Sequence, residues 1–207
     1  RLSTSPRSPS PCTPPRPLRL SVFLTPEPIL ADHLVIIDVL RFTSSAAYAL
    51  DHGARAIIPC ATLDAARAHA GRALLAGERN AVRPAGFDLG NSPLEFTAAV
   101  VQGRDLAWTT TNGTRAIAML MGDEIPSDRG DYGASGSPSL DPPSSPRPPA
   151  PSRRPPLASA ERDLILLSYV NLSAVASLLA PRLREDAVVA VVCAGREGGF
   201  ALEDAAC

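Results

Sequence analysis

The sequence predicts an α/β protein, built on a parallel or mixed sheet with helices on both faces. Short apolar runs of strand length alternate with helix-length segments along most of the chain, which is the pattern of such folds. Of the 207 residues, 45% are hydrophobic, enough for a core. Only 4% are aromatic, so Ala, Leu, Val and Ile must build that core.

The predicted elements follow from apolar runs and from local signals at their ends. Hydroxyl side chains open the helix at 43–50 and can cap it. Asp64 lies in the first turn of the helix at 62–70, where a negative charge favours the helix dipole. Strands are predicted at 20–24, 34–40, 54–59, 73–76, 106–110, 164–168 and 187–193. Helices are predicted at 43–50, 62–70, 93–102, 114–121 and 172–179.

Two proline-rich segments divide the chain into four parts. Residues 1–18 and 122–160 together hold 16 of the 22 prolines and show no helix or strand period. Such segments bury too little apolar surface to offset chain entropy, so we expect a disordered tail and a disordered insert. The α/β core then comprises 19–121 and 161–207, and we expect the second part to be truncated at its C-terminal end.

Charge and cysteine content narrow the class of partner. The formal net charge is −1, which gives no case for nucleic acid or a membrane surface, and no apolar run approaches the length of a membrane span. The four cysteines show no metal-binding spacing, which favours free thiols in a reducing cytoplasm. We therefore expect a cytoplasmic protein with a small-molecule partner. The sequence leaves the oligomeric state open, a homo-oligomer included.

Polar side chains follow five of the predicted strands. Ligands of open α/β sheets bind at the carboxyl ends of strands, beside helix N-termini. We therefore expect the residues that follow these strands to surround one crevice. They are Asp38, Arg41, Glu78, Asn112, Arg115, Asn171 and Arg196.

Five blocks of sequence resemble the 2-phosphosulfolactate phosphatases of coenzyme M biosynthesis, and they occur in that family's order. They are VIIDVLRFTS at 35–44, LAGER at 75–79, GFDLGNSP at 86–93, TTTNGTR at 109–115, and CAGR at 193–196 with LEDA at 202–205. The resemblance implies Mg²⁺-dependent hydrolysis of 2-phospho-3-sulfolactate, a small and highly anionic substrate, to sulfolactate and phosphate. The proline-rich insert and the stop at Cys207 depart from the family pattern.

Chemistry assigns candidate roles within these blocks. Carboxylates are hard ligands suited to Mg²⁺, and a guanidinium group binds a phosphate or sulfonate through two hydrogen bonds. The predicted metal ligands are Asp38, Glu78, Glu203 and Asp204. The predicted catalytic residues are Asp38, Glu78, Asn112 and Arg115. The predicted substrate-binding residues are Arg41, Asp88, Asn91, Ser92, Gly113, Thr114 and Arg196.

Each assignment has a plainer rival. Asp38 could pair with Arg41 or cap a helix, and Glu78 could form a surface salt bridge. Asp88 and Asn91 could form Asx turns. Glu203 and Asp204 could simply begin a helix.

The residues also restrict the chemistry. A Cys-x₅-Arg nucleophile is excluded because Gly199 takes the arginine position, and an Asp-x-Asp pair is excluded by Leu40. Attack by water is therefore favoured over a covalent route. The alternatives are an inactive or ligand-binding relic of the family and a nucleotide binder, although the chain has no glycine-rich nucleotide motif.

Overall fold

The computed structural model describes residues 17–123, 163–197 and 199–207. The predicted disordered segments at 1–18 and 122–160 lie almost entirely outside this part of the chain. Within it the strands are β1 (Arg19–Phe23), β2 (His33–Ile37), β3 (Ala56–Pro59), β4 (Leu74–Gly77), β5 (Asp105–Thr109), β6 (Asp163–Leu167) and β7 (Val188–Cys193). The helices are α1 (Phe42–Asp51), α2 (Leu63–Arg67), α3 (Ala98–Val101), α4 (Gly113–Met121), α5 (Leu172–Leu179) and α6 (Leu202–Ala205).

The strands form two parallel sheets. One has four strands in the order β1-β7-β2-β6, and the other has three in the order β3-β5-β4. In the larger sheet Val35 of β2 pairs with Val191 on one side and Ile165 on the other. Strand β2 is buried along its whole length, which explains its unbroken apolar sequence. The predicted α/β class is confirmed, with two parallel sheets where the sequence indicated one.

One hydrophobic core joins the two sheets. It contains Leu34 and Ile36 of β2, Trp108 of β5, and apolar residues of α1 and α4. The opposite face of the larger sheet packs on Val175 of α5. The opposite face of the smaller sheet is covered by α2. Helices therefore cover both faces of the larger sheet, as predicted.

The predicted helix at 93–102 is wrong as one continuous element. Pro93–Glu95 forms a single 3₁₀ turn, and α3 begins three residues later. The Glu95 carboxylate accepts the Gly90 amide at 2.8 Å and the Ser92 amide at 3.3 Å, which fixes a tight turn. Phe96 then leaves helical geometry and stacks on Trp108 with the ring centres 4.3 Å apart. Burial of this ring outweighs the local tendency to continue the helix.

Two further boundaries differ from the predictions. Helix α2 begins where expected, because the Thr62 side chain accepts the Ala65 amide at 3.1 Å, but it ends at Arg67. Strand β2 ends at Ile37 and not at residue 40. Residues 38–41 instead carry the chain from the sheet to α1. No helix in the described part of the chain is long and apolar enough to cross a membrane.

Candidate active site

A cleft of about 400 Å³ lies at the carboxyl ends of β2, β4, β5 and β7. Strands within each sheet are parallel, so the exits of β2 and β7 lie on one side of their sheet and those of β4 and β5 on one side of theirs. Both sheets open onto the same cleft, so loops distant in sequence share one wall. Its lining residues are Asp38, Leu40, Arg41, Glu78, Asn80, Ala81, Asn91, Thr111, Asn112, Gly195, Arg196, Glu197, Glu203 and Asp204.

Asp38 occupies the buried side of the cleft, directly after β2. The backbone amides of Phe42 and Gly113 lie near its carboxylate and favour its ionised form. A Cβ atom at position 113 would lie 2.5 Å from Asp38 Oδ2, so only glycine lets the start of α4 approach this closely. Burial and the nearby charges of Asp204 and Glu78 raise the Asp38 pKa from 3.8 to about 7, against the lowering effect of the two amides.

Asp204 connects three parts of the wall. Its Oδ1 accepts the Val39 amide at 2.9 Å, and its Oδ2 accepts the Gly195 amide at 3.1 Å. Short helix α6 is thereby joined to the exits of β2 and β7. Burial raises the Asp204 pKa, and the charge of Glu203 adds to that effect, while the two amides lower it. The cleft therefore raises the pKa of both Asp38 and Asp204.

Glu78 is the most completely hydrogen-bonded of the predicted acids. Its Oε1 accepts the Thr111 amide at 2.7 Å. Its Oε2 accepts the Ala81 amide at 2.7 Å and the Thr111 hydroxyl at 3.1 Å. The rival expectation of a surface salt bridge does not describe Glu78, because this residue is buried and its carboxylate accepts two amides and a hydroxyl.

Arg41 and Arg196 bring positive charge to the same cleft. Arg41 directly precedes α1. Arg196 begins a turn in which its amide and carbonyl both bond Gly199 at 2.9 Å. The adjacent Glu197 amide donates to Asn112 Oδ1 at 2.9 Å, which fixes this turn against the start of α4.

The structure thus brings together eight of the predicted site residues. These are Asp38, Arg41, Glu78, Asn91, Asn112, Arg196, Glu203 and Asp204. Asn91 also supports the core, since its Oδ1 accepts the Trp108 indole N–H at 3.2 Å. Gly113 is not a lining residue, but it contacts the site through Asp38.

Besides Gly113, four predicted site residues do not line the cleft: Asp88, Ser92, Thr114 and Arg115. Asn171, which was also expected beside the crevice, does not line it either. The Asp88 carboxylate accepts the Leu75 amide at 2.8 Å, and the Thr114 hydroxyl accepts the Thr110 amide at 2.8 Å. Ser92 precedes the 3₁₀ turn that Glu95 fixes. Arg115 is the third residue of α4 and is not among the lining residues.

Some lining residues were not predicted as site residues, notably Asn80, Ala81, Thr111 and Glu197. Asn80 and Ala81 both have positive φ, 55° and 63°, in a tight turn after Glu78. Asparagine is the residue besides glycine that adopts this conformation most readily, so Asn80 carried a usable signal. Ala81 carried none, because its conformation is imposed by the turn.

Among the described residues, no three His, Cys, Asp or Glu side chains are grouped closely enough to hold a metal ion by themselves. Mg²⁺ commonly keeps several waters and binds a protein through one or two carboxylates together with substrate phosphate. A cation beside Asp38 would also favour the charged form that burial disfavours. The donor set therefore fits a largely hydrated Mg²⁺ held by Asp38 and one neighbouring acid.

An α/β fold with carboxylates and guanidinium groups around a strand-end cleft is typical of proteins that bind small anionic ligands. The 2-phosphosulpholactate phosphatase family model matches residues 21–125 and 156–207. The chain belongs to this family.

Curated relatives support the same assignment. A Thermotoga petrophila protein named "Probable 2-phosphosulfolactate phosphatase" is 35% identical over 178 residues, covering 86% of this chain and 60% of the relative. A protein of the same name from Pseudothermotoga lettingae is 33% identical over 190 residues, covering 91% of this chain and 65% of the relative. A protein of the same name from Parasynechococcus marenigrum is 50% identical over 91 residues, covering 42% of this chain and 38% of the relative. The chain thus spans less than two thirds of the length of these relatives.

Proposed function

We propose that the cleft hydrolyses 2-phospho-3-sulfolactate, or a closely related phosphorylated hydroxy acid, to the free hydroxy acid and phosphate. Family membership supports this phosphoric monoester hydrolase activity, because the relatives bear the name of that enzyme. The structural observation that carries the proposal is that buried acids and two arginines, Arg41 and Arg196, line the same cleft. That combination suits a substrate with several negative charges together with a divalent cation.

Magnesium binding is part of the proposal. Asp38 would hold Mg²⁺ with Asp204 or Glu203, while Glu78 has two oxygens already bonded to three donors. Bound Mg²⁺ supplies neutralisation of the charge on the phosphoryl oxygens. Its presence would also hold Asp38 in the ionised form at neutral pH.

The chain's own residues provide binding and orientation. Arg41 and Arg196 would bind the phosphate, carboxylate and sulfonate groups of the substrate. Asn112 fixes the Arg196 turn through the Glu197 amide and so sets where that guanidinium can reach. This arrangement holds the phosphoryl group in one orientation for attack from the open side of the cleft.

The buried position of Cys193 and its raised pKa agree with attack by water and not by this thiol. This thiol is buried at the end of β7, and burial followed by the charges of Asp204 and Cys207 raises its pKa. A protonated thiol is a poor nucleophile. Direct transfer of the phosphoryl group to water therefore remains the favoured route.

The test is release of inorganic phosphate from 2-phospho-3-sulfolactate by the purified chain, with and without Mg²⁺. We expect release that requires Mg²⁺, and no release when the metal is chelated. Calorimetric binding of the substrate is measured in parallel. Binding without release at saturating Mg²⁺ would contradict the proposal and favour a ligand-binding relic of the family.

A further inference from the structure

Glu78 has the bonding pattern of a residue that organises a site. A carboxylate has roughly four acceptor positions. Three of those on Glu78 are taken by the Ala81 amide, the Thr111 amide and the Thr111 hydroxyl, at 2.7, 2.7 and 3.1 Å. The side chain is only 9% exposed. Charge-assisted bonds of this length in a buried position strongly fix the groups that donate them.

The first of these groups is the turn that follows β4. Arg79 and Val82 bond each other through both backbone groups, at 2.9 and 3.0 Å, and the two residues between them have positive φ. For Ala81 that conformation is strained, because its Cβ crowds the carbonyl oxygen that follows it. The bond from its amide to Glu78 offsets part of this strain and holds Asn80 and Ala81 in the wall of the cleft.

The second group is the loop between β5 and α4. Thr111 bonds Glu78 through its amide and its hydroxyl, so this residue is fixed from two directions. The next residue, Asn112, accepts the amide of Glu197 and so fixes the turn that carries Arg196. One carboxylate thereby sets the position of the β5–α4 loop and, through it, that of the Arg196 turn.

We propose that Glu78 is a positioning residue, which fixes the Asn80–Ala81 turn and the Thr111–Asn112 segment so that Asn112 and Arg196 meet the substrate in the correct place. It then serves neither as the metal ligand nor as the acid or base that its place in the sequence motif predicts. The inference rests on the proposed function for its kinetic consequences. Its structural part stands on the hydrogen bonds alone.

The experiment compares Glu78→Gln, Glu78→Ala and Thr111→Val by amide hydrogen exchange and by phosphate release. In Glu78→Gln one oxygen is replaced by an NH₂ group that cannot accept, so at least one of the Ala81 and Thr111 amides should exchange about tenfold faster. In Glu78→Ala both the Ala81 amide and the Thr111 amide should exchange faster, because neither acceptor oxygen remains. Glu185→Gln removes an equal charge from an exposed turn, and its amide exchange and kinetics should match the parent chain.

In the kinetic measurement, Glu78→Gln should lower kcat/KM by about 10- to 100-fold, the usual cost of misplacing substrate-binding groups. The Mg²⁺ concentration for half activity should change less than twofold. The pH dependence of kcat/KM should keep the shape that it has in the parent chain. Thr111→Val leaves the carboxylate in place but should lower kcat/KM in the same direction. The double variant Glu78→Gln/Thr111→Val should lose less kcat/KM than the product of the two single losses. Both single changes remove the same interaction, that between Glu78 and Thr111.

A several-fold rise in the Mg²⁺ requirement of Glu78→Gln, with the Ala81 and Thr111 amides still protected, would overturn the proposal. So would additive losses in the double variant. If the parent chain releases no phosphate from 2-phospho-3-sulfolactate, the proposed function fails, but amide exchange still decides whether Glu78 holds these two segments.

Discussion

At the scale of single residues, the cleft contains two acids, Asp38 and Asp204, whose pKa values are raised by burial. Asp38 is 6% exposed, and its pKa is raised to about 7 by burial and then by its acidic neighbours. The unfolded chain ionises this group near 3.8. Between these two values the folded state binds more protons than the unfolded state.

That difference in protonation predicts how stability changes with pH. In the absence of divalent metal, Asp38 should make the free energy of unfolding fall as pH rises from about 4 to about 7, by an amount on the order of 4 kcal/mol. Asp38→Asn cannot ionise and should flatten this slope. Denaturant titrations at several pH values in a chelator measure it, and Asp64→Asn is the exposed control. An equal slope in Asp38→Asn and the parent chain would count against the raised pKa.

At the scale of secondary-structure elements, close backbone approach determines where the loops lie. Gly77 ends β4 with φ of 143°, and a Cβ there would lie 1.9 Å from the Thr109 carbonyl oxygen. No side chain fits between these two strands. The glycine therefore lets Glu78 emerge directly beside the loop that it holds.

Gly77→Ala should destabilise the protein by two separate effects, left-handed strain and collision with β5. Gly71→Ala is the matched control, because Gly71 also has positive φ, 78°, but nothing lies within 4 Å of the added Cβ. The control should cost about 1 kcal/mol, and Gly77→Ala about 1–3 kcal/mol more. Equal melting temperatures for the two variants would show that the close approach at Gly77 is unimportant.

Predictability from sequence also differs between elements. Strand β2 was predictable from its unbroken apolar run. Helix α4 was predictable because its apolar residues recur at helical spacing. The segment at 93–102 was not, because burial of Phe96 against Trp108 decides its conformation and that contact is invisible in a local pattern. Arg115 was expected in the site from its place in the motif, and it is not a lining residue of the cleft. Its role in the reaction stays a prediction.

At the scale of the whole molecule, side chains join the four strand exits that form the cleft. Asp38 lies where the β2 and β5 exits approach each other, beside Gly113. Glu78 connects the exits of β4 and β5, and Asp204 connects those of β2 and β7. Asn112 connects the β5 and β7 exits. The alternation of strands and helices predicted that these exits converge. The division into two sheets sharing one core was not predictable, because it depends on which strands pair.

We propose that this cleft is a Mg²⁺-dependent phosphatase site in which Asp38 holds the metal and Arg196 binds the substrate. A Mg²⁺ titration of phosphate release from 2-phospho-3-sulfolactate, carried out on Asp38→Asn, Arg196→Lys and Arg115→Lys, tests these two roles. Asp38→Asn should lose most turnover and need more Mg²⁺, because an amide is a poorer ligand for a hard cation.

Arg196→Lys should lose on the order of 10²-fold in rate with an unchanged Mg²⁺ requirement. The lysine ammonium group cannot form the two parallel hydrogen bonds that a planar guanidinium group makes to an anion. Arg115→Lys, altered outside the cleft wall, should lose less than tenfold. The same Mg²⁺ requirement in Asp38→Asn and Arg196→Lys, or full activity in both, would contradict these roles of Asp38 and Arg196.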